Sequence, residues 1–325
     1  MTENKKKIRA IAITGPTASG KTSLSIAIAE QISAEIISAD SMQIYESMDI
    51  GTAKPTKEER EKVIHHMIDF LPPGEKYSAE AYKKDALAVA REITERQKNV
   101  LFVGGTGLYI ETLKRRGTGD LVPESSEEYK RAALEKIKTP EDVHALWEYL
   151  NSFDPESAAT VHENNVRRVL RAVEIYEKTG KTKSYFDSIA AEDDPEIELF
   201  IITLDFHNRE NLYERINKRV DIMLSEGLVE EARTLFDKGV LSSSNTASQA
   251  IGYKELVPYI KGDCTLFDAV ERLKMETRRY AKRQLTWYRN KDCKRVYMDS
   301  EDGRLRDFSE TLSECLNLAK EFLNI

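Results

Sequence analysis

Gly15-Pro16-Thr17-Ala18-Ser19-Gly20-Lys21-Thr22 fits the spacing G-x-x-x-x-G-K-[ST]. Each residue type in that pattern does something to a phosphate. Glycines let backbone N–H groups close around its oxygens, and a helix N-terminus behind them adds its positive dipole end. Lys21 supplies a point charge, and the Thr22 hydroxyl suits a Mg²⁺ ion carried with the phosphates. These eight residues predict a di- or triphosphate ligand. They do not choose the reaction: kinase, ATPase and non-kinase phosphate chemistry all stay open.

Five further groups could act on such a ligand. Asp40, in Ser38-Ala39-Asp40-Ser41-Met42-Gln43, could accept a proton from an incoming nucleophile, or simply brace a turn. Gln43 carries a two-headed amide of the kind that pairs with an adenine edge. Gly104-Gly105-Thr106-Gly107 is a second glycine turn, whose Thr106 could donate to a phosphate or a base, or cap the next helix. Arg219, four residues after Arg215, could reach an anion from a helix, and Asp205 could serve the Mg²⁺ of a nucleotide. His65 and His66 are adjacent and point different ways on any regular element, which argues against a metal site.

Strands and helices must hold these groups. Ile8–Thr14 reads as a strand, followed by the glycine loop and a helix with Leu24, Ala27, Ile28 and Ile32 on one face. Further strands are predicted at Ala34–Ser38, 66–70 and Asn99–Val103, with a helix capped by Ser78 running to about residue 98. Strands alternating with helices predict an α/β fold, a parallel sheet covered by helices on both faces. In an open sheet of that kind the carboxyl ends of the strands face the ligand crevice, which would bring Asp40 near the phosphate loop.

From about 117 to 190 the pattern is helical, with a capping box at 125–128, Thr139 before Pro140, and a stop at Gly180. Polar stretches at 116–120 and 192–195 flank this block. The expected organisation is a P-loop core (1–116), a small all-helical insertion (117–190) and the second part of the core (191–325). That second part holds a strand at 198–204, a long helix at 268–290, a last strand at 294–298 and a helical tail from 309.

Composition sets outer bounds. At 325 residues the length prior is about two domains. Forty per cent hydrophobic and 32% charged residues exclude a disordered or collagen-like chain. Three cysteines at 264, 293 and 315 fit no zinc spacing and read as reduced thiols. No apolar run approaches the ~18 residues that span a bilayer, and no signal-peptide region follows the basic start. The expectation is a cytoplasmic protein with no membrane association, and a monomer.

The formal charge of −7 argues against coating nucleic acid by bulk charge. Its distribution says otherwise. Residues 278–295 hold eight Lys/Arg against one acid, or +7, which leaves −14 for the rest. Arg278, Lys282 and Arg289 share a helix face interleaved with Gln284, Thr286 and Trp287, a pattern suited to a phosphodiester backbone. Arg167, Arg168, Arg171, Lys178, Lys181 and Lys183 form a smaller basic cluster in the insertion.

GPTASGKT (15–22), SADSMQIY (38–45), MDIGTAKP (48–55), HHMID (65–69), VGGTGLY (103–109), QAIGYKE (249–255) and YAKRQLTWYR (280–289), in this order, resemble the tRNA dimethylallyltransferase family. The resemblance covers nearly the whole chain. It is to the bacterial type, since the zinc-finger extension of eukaryotic members is not found. It implies transfer of a dimethylallyl group from dimethylallyl diphosphate to N6 of adenosine 37 in the tRNA anticodon stem-loop. By resemblance, Thr17 to Thr22, with Gly15 and Pro16, bind the diphosphate, with Mg²⁺ at Thr22. Asp40 matches the base, Thr106 a position near the reaction centre, and Lys21 and Arg219 groups that hold the leaving diphosphate. The tRNA-contacting stretches match Asp40, Ser41, Met42 and Gln43; Asn165, Val166, Arg167, Arg168 and Val169; Gln249, Ala250, Ile251, Gly252, Tyr253 and Lys254; and Lys282, Arg283, Gln284, Leu285, Thr286, Trp287, Tyr288 and Arg289. The chain departs from the family pattern at Leu71-Pro72-Pro73 and at Tyr82, where Phe is expected. Two other readings remain on the residues alone: a P-loop small-molecule kinase with Asp40 as base, and a non-catalytic RNA-binding NTPase switch.

Overall fold

The computed structural model describes residues 7–117, 121–123, 125–242 and 246–325, so part of the 116–120 stretch lies outside the described residues. In chain order the elements are β1 (Ile8–Thr14), α1 (Lys21–Gln31), β2 (Ala34–Ser38), α2 (Lys57–Lys62), β3 (His65–His66), α3 (Ala79–Glu95), β4 (Asn99–Val103) and α4 (Gly107–Lys114). Then come α5 (Glu127–Leu134), α6 (Pro140–Phe153), α7 (Pro155–Thr160), α8 (Val166–Thr179) and α9 (Lys183–Ala190). The chain ends with β5 (Ile197–Asp205), α10 (Arg209–Ser225), α11 (Leu228–Asp237), α12 (Val257–Lys261), α13 (Leu266–Tyr288), β6 (Lys294–Tyr297) and α14 (Phe308–Leu323). Two compact units result: Met1–Leu113 with Glu196–Ile325, and Lys114–Pro195.

The first unit is an α/β sheet in the order β3-β2-β4-β1-β5-β6, with all neighbours parallel. Strand alternation divides its core. Ala10 and Ala12 of β1 face the α3 and α4 side with Tyr82, Ala86 and Ile110. Ile11 and Ile13 face the opposite side with Leu24 and Ile28 of α1 and Cys315 of α14. Both faces are dry, so β1 needs no polar alternation and reads as a continuous apolar run. Each buried Ile contributes about 1.5–3 kcal/mol relative to exposure. Tyr82 adjusts its own environment: its hydroxyl donates to Ser38 C=O at 3.0 Å, and its ring stacks on Tyr109.

The second unit is helical. Leu150, Ala158, Val161, Val169, Ala172 and Val173 form its core. Glu174 is fully buried there and is held by Ser125 Oγ, the Ser126 N–H, Arg171 and Lys178. Those partners hold its carboxyl down at about 2 against the opposing effect of burial, which is the largest single influence.

Four boundaries differ from the sequence reading. β3 stops at His66, because Met67 and Asp69 take left-handed φ values of 61° and 56° that no strand contains. The Asp69 carboxylate is drawn instead to Lys54 and Arg60. α3 ends at Glu95, with Gln97 left-handed at φ 57°. α13 begins two residues early, because Thr265 and Asp268 form its capping box. The box expected at Ser125 is displaced: Ser126 caps α5 by accepting the Tyr129 N–H, and Ser125 serves Glu174. Among the described residues no helix is long and apolar enough to cross a membrane.

Candidate active site

The loops after β1, β2 and β4 all leave the carboxyl edge of the sheet and line one cleft of about 1070 Å³ within the first unit. The phosphate loop is tightly fitted. Gly15 has φ 142°, and a Cβ there would stand 2.8 Å from the Leu204 carbonyl of β5. Gly20 (φ 91°) turns the chain into α1, and Ala18 is left-handed at φ 63°. Arg215 holds that Ala18, its Nε donating to the Ala18 carbonyl at 2.9 Å.

Lys21 Nζ donates to the carbonyls of Gly15 (3.0 Å) and Pro16 (2.7 Å). Part of the side chain lines the cleft, but its ammonium is enclosed. Desolvation first, then the Arg219 charge, lower its pKa to about 7, against an upward pull from Asp40. Arg219 is itself pushed down by burial and supported by Asp40. Lys21, Arg219 and Asp40 thus form one electrostatic group.

Asp40 accepts the Met42 N–H through Oδ1 at 2.9 Å and lines the cleft. The second glycine turn fixes its neighbourhood. A Cβ on Gly104 would collide with the Ala39 backbone. Thr106 donates its N–H to the Ala39 carbonyl (3.1 Å), accepts the Ser41 N–H (3.0 Å) and donates its hydroxyl to Ser41 Oγ (3.2 Å). The Tyr280 phenol sits against Thr106 and Gln284, with its pKa raised by burial and by the Asp40 charge. Thr22 lines the cleft beside Lys21. A threonine hydroxyl is the kind of oxygen donor that Mg²⁺ takes alongside phosphate oxygens.

Several residues stand elsewhere than the sequence reading puts them. Gln284 does not share the basic face of α13: it is buried, accepting the Thr17 N–H (2.8 Å) and donating to the Gly105 carbonyl (3.0 Å). Leu285 and Tyr288 are also buried, which leaves Lys282, Arg283, Thr286, Trp287 and Arg289 exposed along that stretch. Arg278 is half-buried and donates to Asn217. Both ends of the Gln43 amide are engaged, with Ser38 Oγ and with the carbonyls of Thr52 and Ala53. Asp205 accepts Arg295 and its own Phe206 N–H and does not line the cleft. His66 bonds Glu35, and His65 bonds the Val63 carbonyl. Among the described residues no group of three His, Cys, Asp or Glu is placed to hold a metal. In the helical unit Asn165, Arg167 and Arg168 are exposed while Val169 is buried; Arg171, Lys178 and Lys183 are engaged by carboxylates.

Glu231 of α11 escaped the sequence reading. Its carboxylate accepts the N–H groups of Asp49 (3.1 Å), Ile50 (3.0 Å) and Gly51 (3.0 Å) and the Tyr253 hydroxyl (2.6 Å). Gly51 lies so close to the Tyr253 ring that a Cβ would clash. Two distant motifs, 48–55 and 249–255, are thereby joined along the cleft, whose wall includes Gln249, Ala250, Ile251, Gly252 and Lys254.

A model of the IPP transferase family matches residues 43–291. A protein of Staphylococcus epidermidis named tRNA dimethylallyltransferase is 49% identical over 86% of this chain and 84% of its own length. One from Halalkalibacterium halodurans with the same name is 45% identical over 96% of each. Among solved structures, a tRNA isopentenylpyrophosphate transferase from Staphylococcus epidermidis is 44% identical with a TM-score of 0.68, covering 97% of this chain and 99% of that one. A eukaryotic dimethylallyltransferase captured acting on tRNA is 28% identical with a TM-score of 0.80, covering 97% of this chain and 78% of that one.

Proposed function

This chain belongs to the IPP transferase family, and from that membership we propose its reaction: transfer of a dimethylallyl group from dimethylallyl diphosphate to N6 of adenosine 37 in tRNA. The observation that carries the proposal is the meeting of Asp40 with the phosphate loop, Lys21 and Arg219 in one cleft. In the reaction the N6–carbon bond forms as the carbon–oxygen bond to diphosphate breaks. Asp40 takes the amine proton, and diphosphate leaves into the loop. An exocyclic amine is a poor nucleophile until its proton is accepted. Lys21, Arg219 and the loop N–H groups, preorganised around the leaving anion, stabilise the charge that develops on it. Mg²⁺ bound at Thr22 would neutralise further charge on the diphosphate.

The base must leave the anticodon-loop stack to enter an enclosed site. The exposed basic face of α13 supports tRNA docking through the backbone. Asp205, engaged by Arg295, does not supply the second-strand acid that a nucleotide-hydrolysing reading would use.

Labelled dimethylallyl diphosphate, incubated with the protein and unmodified tRNA, should place label in the tRNA, with adenosine gaining the mass of one dimethylallyl group. No label in tRNA, with ATP turnover on a small alcohol instead, refutes the proposal in favour of a kinase.

A further inference from the structure

We propose that Gln284 is a positioning residue for this transfer. It ties the phosphate loop to the second glycine turn, so that the leaving diphosphate and the base Asp40 keep one geometry. The inference rests on prenyl transfer being the reaction.

Gln284 is a polar residue, only 6% exposed, on a helix whose adjoining positions 282, 283, 286 and 287 are open to solvent. A buried amide is costly unless both its ends are bonded. Here both are, and to different loops. Oε1 accepts the Thr17 N–H of the phosphate loop, and Nε2 donates to the Gly105 carbonyl. The next residue, Thr106, holds Ser41 through two hydrogen bonds, and Ser41 follows Asp40 in the chain. One side chain therefore connects the donor-binding loop to the loop that carries the base.

The chemistry selects glutamine. Thr17 offers a donor and Gly105 an acceptor, so the bridge must accept at one end and donate at the other. It must also be neutral, because a carboxylate there would oppose an incoming diphosphate. Gly105 has the complementary requirement: a Cβ on it would run into Nε2 of Gln284. Its φ is not left-handed, so alanine is tolerated by the backbone and acts by displacing the amide. Apolar packing alone would be served by methionine or leucine; two directional bonds to two catalytic loops are not.

The test compares Gln284→Met, which keeps the volume, Gly105→Ala, which displaces the amide from the other side, and the double variant. Three quantities are read on full-length protein: kcat for an anticodon stem-loop, and the Kd values of inorganic diphosphate and of the stem-loop. Misplacing reacting groups by about 1 Å costs on the order of 100-fold, so each single variant should lose about 10- to 100-fold in kcat. Both Kd values should stay within about threefold, and the double variant should lose no more than the worse single one, since both changes break the same link. A merely structural role predicts instead that both Kd values weaken together with kcat. Wild-type kcat in Gln284→Met, or additive losses, overturns the proposal. A wild-type protein that moves no label into the stem-loop refutes prenyl transfer itself.

Discussion

With Lys21 holding the leaving diphosphate, as proposed, diphosphate binding depends on pH. The Lys21 pKa is lowered from 10.5 to about 7 by desolvation and by Arg219. A bound diphosphate reverses both influences: it supplies opposite charge and screens the arginine. The bound ammonium should return to its ordinary range, so binding takes up a proton whenever the pH lies between the two values. The sign follows. Below pH 7 the free lysine is already charged and affinity is level; above it the neutral form must first be protonated and affinity falls. Between pH 7 and pH 9 the free lysine loses most of its charge, so the Kd of dimethylallyl diphosphate without tRNA should rise roughly 10- to 100-fold over that interval. At pH 8 roughly half to one proton should be taken up per ligand, visible as a dependence of the calorimetric heat on the buffer's ionisation enthalpy. Lys21→Arg stays charged throughout, so its Kd should follow only the ligand's own titration. Equal slopes in the two proteins, or a wild-type Kd that changes by less than about threefold, would refute the linkage argument.

Three other outcomes follow. Asp40→Asn should lower kcat by about 10²- to 10⁴-fold, in the range of general-base loss, with stem-loop binding kept; equal weakening of binding would assign Asp40 to recognition instead. Replacing Lys282 and Arg289 together by Ala should weaken stem-loop binding and flatten its salt dependence by about one unit for each phosphate no longer neutralised; an unchanged slope removes them from the interface. Glu174, held at about 2 when folded against an ordinary 4.5, contributes stability that is present above 4.5 and lost as pH falls toward 2. Glu174→Gln should flatten that acid limb in hydrogen exchange of the helical unit, and an unaltered limb would show that other carboxylates set it.

The parts legible in sequence are those encoded locally. Ile8–Thr14, the glycine loop and α1 lie within one short stretch, and each declares its state by pattern. Caps such as Ser78 and Thr139 are equally readable, because the capping bond spans three residues. Gln284 is not, because its partner Thr17 is 267 residues away. A signal does exist: Ala281, Gln284, Leu285 and Tyr288 fall at i, i+3, i+4 and i+7, the buried seam of the helix, and the basic residues around them draw the eye to the other face. Glu231 offers none. Its role depends on three backbone N–H groups converging on one carboxylate, and main-chain donors carry no sequence identity.

The place of the helical unit within the chain also bears on synthesis at the ribosome. β1 pairs with β5, yet Thr14 and Thr203, bonded at 2.7 Å, are 189 residues apart. Until the helices of 114–195 have emerged, β1 has β4 on one side and an open edge on the other. Closing so long a loop costs little at equilibrium, about 0.6 kcal/mol per doubling of length, but an open strand edge invites wrong pairing for as long as it lasts. Asp194 donates its N–H to the Lys114 carbonyl at 3.0 Å, and Arg116 to that of Glu192 at 2.7 Å, so the unit returns the chain to where it departed. Once these helices have folded, the strand after them leaves from beside the point where the chain entered the unit.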